Sequence, residues 1–262
     1  MSAIILKPGR EKSLLRRHPW IFSGGVQSVE GNPASGSTLD LLSSKGDFLA
    51  RAAYSPISQI RARVWTFDPA EAVDAEFFRR RIRQAIAGRI TLNLEHSTDA
   101  YRLVHAESDG IPGLIVDRYG DVLVLQSLTA GSEYWKEPIA DILLEETGLK
   151  AIYERSDADV RGLEGLEPKV GILRGSIPHD PITINEHGLQ FKVNFAEGRP
   201  AFISTNAPTA CACANWQTDA MYWIVSVIPA GSRSMRWQAK LNPCWVWMLL
   251  LMCSNWRGKT WS

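Results

Sequence analysis

Chemistry in this chain has to be sought first among cations and aromatic rings. Residues 1–70 hold nine Lys or Arg against five Asp or Glu. Five of the cations, Lys7, Arg10, Lys12, Arg16 and Arg17, fall within "KPGREKSLLRR", and Arg61 and Arg63 alternate along "QIRARVWTF". Cations gathered on one face neutralise phosphates and release counterions, which gives salt-dependent binding to nucleic acid. Trp20 and Tyr54 add flat surfaces on which unpaired bases can stack, worth roughly 1–3 kcal/mol per base. The competing reading is a solvated cationic face with Trp20 in the core. The residues alone leave both open.

Other constellations carry less. In "HAESDG", Glu107 and Asp109 fall two apart, a spacing that puts both carboxylates on one strand face. Such a pair can do acid–base work, and it is equally the way a strand ends in a turn. Arg155 and Asp157 are placed to pair with each other. His18, His96, His105, His179 and His187 have no ligand spacing, and Cys211, Cys213, Cys244 and Cys253 lack the paired CxxC pattern of a zinc site. No GxSxG, P-loop or GxGxxG motif occurs. Metal, disulfide and triad chemistry are therefore not expected.

The elements that must position these groups read as α+β. The chain has 262 residues and a formal net charge of +1, so whole-chain charge selects no partner. Its start, "MSAIILKPGREK", is not a secretory signal, and the longest apolar run, Pro243–Cys253, is about half of the ~20 residues a membrane helix needs. A cytoplasmic protein without membrane contact is the expectation. Residues 1–70 alternate as short strands ("AIILK", "WIFSGGVQSV", "STLDLLSS", "DFLARAAYS", "QIRARVWTF") punctuated by Gly and Ser clusters, the pattern of a small β-barrel. One early helical turn, "GREKSLLRRH", should turn Leu14 and Leu15 inward. Residues 71–99 form a connecting helix and linker: Phe77, Phe78, Ile82, Ala85 and Ile86 share one face from Asp74 to about Gly88. Residues 100–198 form a second α+β unit. Its strands are "YRLVHAES", "GLIVDRYG", "DVLVLQSL", "AIYERSD" and "VGILRG", with one helix, "SEYWKEPIADILLEET", and a last hairpin turning at His187-Gly188.

Four blocks, "KPGREKSLLRRHPWIFSGGV", "RAAYSPISQIRARVWTFD", "YRLVHAESDGIPGLIVDRYGDVLVLQ" and "YERSDADVRGLEGL", closely resemble the large-subunit ribosomal RNA cytosine-5 methyltransferases that use S-adenosylmethionine. The resemblance runs from residue 1 to about residue 198. It implies a PUA-like RNA-binding barrel over 1–70 and a strand-strand-helix-strand-strand domain over 100–198. A Rossmann-like methyltransferase domain should come next. It also implies ribosomal RNA as the partner, with Lys12, Arg16, Arg17, His18, Pro19 and Trp20 as matched positions. Of these, Lys12, Arg16, Arg17, His18 and Trp20, together with Tyr54, Arg61 and Arg63, make up the expected RNA-binding set. Relatives of this kind flip a cytosine, attack C6 with a Cys thiolate and place a methyl on C5.

The resemblance stops at "VNFAEG". From Arg199 onward the chain has one acid, Asp219, against six Lys or Arg, and it holds all four cysteines and seven of the ten tryptophans. No period of 2 or 3.6 persists there. Read with each codon starting one nucleotide earlier, Pro200–Ala207 permits T-G-F-Y-L-D-Q-R, the family's continuation. Met221–Ile224 forces V-L-D, and Trp245-Val246 and Trp247-Met248 force Gly and Asp. In that frame a strand ends before a glycine-rich turn, and an acid follows for the ribose. A frameshift near Gly198–Arg199 accounts for this. Residues 199–262 are then expected to form an irregular tail, with no catalytic residue and no cofactor site on this chain. A stand-alone RNA-binding module is the alternative, and attachment through Pro243–Cys253 to a membrane surface or partner is a third reading.

Overall fold

Each short strand of residues 1–70 turns one side inward, and together these sides make one core. In the computed structural model, which describes residues 2–91, 98–177, 181–186, 189–194 and 202–204, these strands are β1 (Ala3–Leu6), β2 (Trp20–Phe22), β3 (Val26–Glu30), β4 (Thr38–Leu42), β5 (Phe48–Tyr54) and β6 (Ile60–Thr66). They form one sheet in the order β2-β6-β5-β4-β1-β3. Ile4, Leu6, Ile21, Leu39, Leu41, Ala50, Ala52, Ala62 and Val64 pack into a single cluster with Leu14. A sheet of this width whose inner residues all meet must curl. It stays open, because β2 and β3 lie at its two ends. The alternation expected along β6 is present: Ala62 and Val64 are buried while Arg61 and Arg63 face the other way.

The first helix corrects one expectation. α1 spans only Lys12–Leu15. Adjacent residues on a helix point about 100° apart, so one turn cannot bury both leucines. Leu14 is 2% exposed and Leu15 is 68% exposed.

α2 (Ala75–Thr91) begins where the Asp74 carboxylate accepts the Phe77 N–H at 2.9 Å, an N-cap bond that satisfies a free donor. Phe77, Phe78, Ile82 and Ala85 are buried on the face expected of them, with Ile86 packed beside them. β7 (Ala100–His105), β8 (Leu114–Tyr119), β9 (Val122–Ser127), β10 (Ala151–Ser156) and β11 (Lys169–Arg174) form a second sheet, ordered β11-β10-β9-β8-β7. β9 and β10 run parallel. They are joined through α3 (Ala130–Tyr134) and α4 (Lys136–Thr147). The expected single helix is thus two. Pro138 supplies no N–H and its ring crowds the carbonyl four residues back, that of Tyr134, where the break falls. After the short α5 (Val160–Leu163), β12 (Ile182–Glu186) and β13 (Leu189–Val193) pair antiparallel. β14 (Phe202–Ser204) adds to β13, so strand pairing extends a few residues past Gly198.

The turn at His187-Gly188, His96, His179, the four cysteines and Pro243–Cys253 lie outside the described residues. Among those described, no helix is long and apolar enough to cross a membrane, and no cluster of His, Cys, Asp or Glu could hold a metal ion.

α2 is the joint. Trp65 and Ala53, on the outer side of the first sheet, share a core with Phe77 and Phe78 of α2 and with Ile139, Leu143, Leu123 and Ile152 of the second unit. Phe78 meets Trp65 edge-on at 5.3 Å between ring centroids and Trp135 at 4.9 Å. Gly131 permits a close approach here. A Cβ there would lie 2.4 Å from that of Ala53 and 2.8 Å from the Trp65 ring.

Candidate nucleic-acid interface

The cationic corner is built by how α1 ends. Arg17 N–H donates to the Leu14 carbonyl at 2.8 Å and His18 N–H to the Ser13 carbonyl at 3.0 Å. This is the paired bonding of a Schellman stop, with Pro19 following to prevent continuation. The stop needs a residue in the left-handed region, normally glycine. Here that residue is Arg17, with φ 62°. An L-residue there costs roughly 1–2 kcal/mol. The side chain it projects lies over the Phe67 ring, 4.7 Å from its centroid. Lys12, Arg16, Arg17 and His18 are all exposed, and among the described residues none of the three cations has an ion-pair partner.

The remaining expected residues are held by the protein itself. Trp20 is half-buried, and its indole N–H donates to Glu107 Oε1 at 2.9 Å. The Arg63 guanidinium stands 6.0 Å from the Trp20 ring and bonds Glu164 at 2.8 Å. Glu164 is 3% exposed and also takes the Ala130 N–H. The Arg61 guanidinium donates to the Ser55 and Pro56 carbonyls. Tyr54 packs against the first core. The eight expected residues thus divide. Lys12, Arg16, Arg17 and His18 form an open corner, while Trp20 and Arg63 clamp the first sheet to the second unit.

The carboxylate pair in "HAESDG" divides too. β7 ends at His105 and residues 106–109 form a 3₁₀ turn, so this pair does end a strand in a turn. It turns Glu107 toward Trp20 and Asp109 into a two-pronged pair with Arg89 at 2.9 and 2.7 Å. Both carboxylates hold structure. Arg155 and Asp157 do pair, at 3.0 Å.

Behind the joint lies a charged group that sequence reasoning missed. Glu133 accepts from Lys169 at 2.6 Å, Lys136 at 2.9 Å and Arg161 at 3.1 Å, and Lys136 also bonds Glu154 at 2.9 Å. Burial alone would push the Glu133 carboxyl up. Hydrogen bonds from Lys169, Lys136 and Arg161 outweigh it and bring Glu133 down to about 2. Burial would lower Lys136, but bonds to Glu133 and Glu154 raise it. The ligands come from α3, α4, β10, α5 and β11, too scattered in sequence for any local spacing to announce them.

The resemblance puts S-adenosylmethionine in the domain that follows residue 198, almost all of it outside the described residues. The carboxyl end of β9 is taken up by the protein's own contacts. The Thr129 side chain caps α3 through the Ser132 N–H, Glu164 takes the Ala130 N–H, and Gly131 lies against Trp65.

A family model described as "PUA-like domain" matches residues 4–67. Over 195 residues the chain is 51% identical to "Ribosomal RNA large subunit methyltransferase I" of Shewanella amazonensis, covering 74% of this chain and 49% of that protein. It is 49% identical over 195 residues to the protein of that name from Shigella boydii, with the same coverage. Among solved structures it is similar to one described as a candidate SAM-dependent methyltransferase from Streptococcus mutans, with a TM-score of 0.60 and 18% identity, covering 74% of this chain and 49% of that one. Another, of a candidate methyltransferase complexed with SAH, matches with a TM-score of 0.63 and 18% identity over 76% of this chain and 50% of its own. The chain spans about half the length of the relatives it matches. The resemblance and the α+β architecture with a PUA-like first unit are borne out over that stretch.

Proposed function

We propose, from the premise that the chain shares its PUA-like and central units with the large-subunit rRNA methyltransferases, that it docks on ribosomal RNA and performs no methyl transfer itself. The observation that carries this reading is the α1 corner. Lys12, Arg16, Arg17 and His18 stand exposed on a turn held open by a left-handed arginine. Strained backbone persists where the surroundings enforce it and often accompanies function. Unpaired cations on a rigid turn suit phosphates, which position a nucleic acid without reading its sequence.

The catalytic half of the reading rests on the sequence: the chain departs from the family's pattern near Arg199, and a shifted codon frame permits the expected continuation there. In the intact family, S-adenosylmethionine supplies the methyl group.

The chain should retard a large-subunit rRNA fragment at low salt and give no heat with S-adenosylmethionine in calorimetry. Cofactor binding by the 262-residue chain would overturn its assignment as non-catalytic. Resequencing the DNA around codons 195–205 decides the frame: an intact frame would remove the shifted-codon argument.

A further inference from the structure

Trp20 is the obvious stacking residue by type, but its ring is engaged. Its N–H is bonded to Glu107, the Arg63 guanidinium stands beside its face and the His18 ring meets it edge-on at 5.9 Å. Two residues along the same strand, Phe22 is 53% exposed. Side chains alternate along a strand and Ile21 is buried, so Phe22 and Trp20 share the outward face. β2 is an edge strand, which leaves one flank of Phe22 open.

Two cations lie at the turn that follows it. The 3₁₀ turn Ser23–Gly25 follows Phe22 directly. Lys7 Nζ donates to the Gly24 carbonyl at 3.1 Å, fixing an ammonium within two residues of Phe22. The Arg10 side chain lies beside Gly25, where a Cβ would come within 3.8 Å of it. Both cations precede α1, so the phenyl ring and the Lys12–Arg17 corner flank one stretch of chain. A lone exposed phenylalanine would need no explanation. One followed by a turn that holds a lysine and an arginine has the makeup of a single-strand platform, where an aromatic face takes a base and neighbouring cations take the phosphates.

We infer that Phe22, with Lys7 and Arg10 at the turn that follows it, is a stacking site for an unpaired nucleotide of the docked RNA. The inference rests on the RNA-docking reading and adds a preference for loops or bulges over continuous duplex, since bases within a duplex are already stacked.

The test uses the full chain and two RNAs of one sequence: a hairpin with 2-aminopurine in its loop, and its fully paired duplex. Wild type should bind the hairpin more tightly, and the 2-aminopurine emission should fall on binding as the base stacks. Phe22→Ala should weaken hairpin binding about tenfold or more, leave duplex binding unchanged and abolish the emission change. Phe22→Trp should keep both. Phe22 is exposed, so the alanine variant should keep its fold, checked by far-UV circular dichroism. Hairpin binding unaffected by Phe22→Ala, or hairpin and duplex weakened alike, overturns the inference while leaving the docking reading intact. Failure of wild type to bind either RNA at low salt overturns both.

Discussion

Arg17 brings stability and binding into conflict at one position. Its left-handed backbone costs roughly 1–2 kcal/mol, and glycine would relieve that strain. Glycine would also give back about 0.4–1 kcal/mol through the freer unfolded chain and lose the contact over Phe67, worth about 0.5–1 kcal/mol when exposed. These effects nearly cancel. Arg17→Gly should therefore leave thermal stability within about 1 kcal/mol of wild type, while lowering RNA affinity and reducing the salt slope by about one. Paired unfolding and mobility-shift titrations would check this. A clear loss of stability would show that the side chain holds the turn together, and unchanged RNA binding would remove Arg17 from the interface.

At the scale of elements, the ion group around Glu133 ties α3, α4, α5 and β11 behind the joint. Glu133 is held at about 2, below its ordinary value of 4.5. Its contribution to stability is therefore fully present above pH 4.5 and is lost as pH falls from about 4.5 to about 2. Glu133→Gln should lower stability at pH 7 by about 1–3 kcal/mol, because Lys136 keeps Glu154 and Arg161 keeps backbone carbonyls. It should also flatten the decline between pH 4.5 and 2. Chemical denaturation at pH 7, 4.5 and 3 measures both effects, and an unchanged acid limb would contradict the assignment. Much at this scale was legible beforehand. The period-2 alternation of "QIRARVWTF" and the Phe77–Ile86 face of α2 depend on local patterning, and both appear as read. The exposure of Leu15 was not legible, because it is set by where a single helical turn stops. The destinations of Trp20 and Arg63 were hidden for another reason. Their partners, Glu107 and Glu164, are 87 and 101 residues away in sequence, and no local period reports a partner at that distance.

On the scale of the whole molecule, α2 and the aromatic group Trp65, Phe77, Phe78 and Trp135 join the PUA-like sheet to the central sheet around one continuous core. The corner proposed to bind RNA is thus mounted on a body of both units rather than on a tethered module, and a phosphate contact there would fix the orientation of the central sheet as well. The most direct test of this account is the salt dependence of binding to a large-subunit rRNA fragment, for wild type and for the Arg16→Glu, Arg17→Glu double variant. Wild-type affinity should fall linearly in a log–log plot, by about 0.7–0.9 in slope per phosphate contacted. The double variant should bind more weakly, with the slope reduced by about two. Binding that ignores salt, or a slope that survives loss of both arginines, would contradict it.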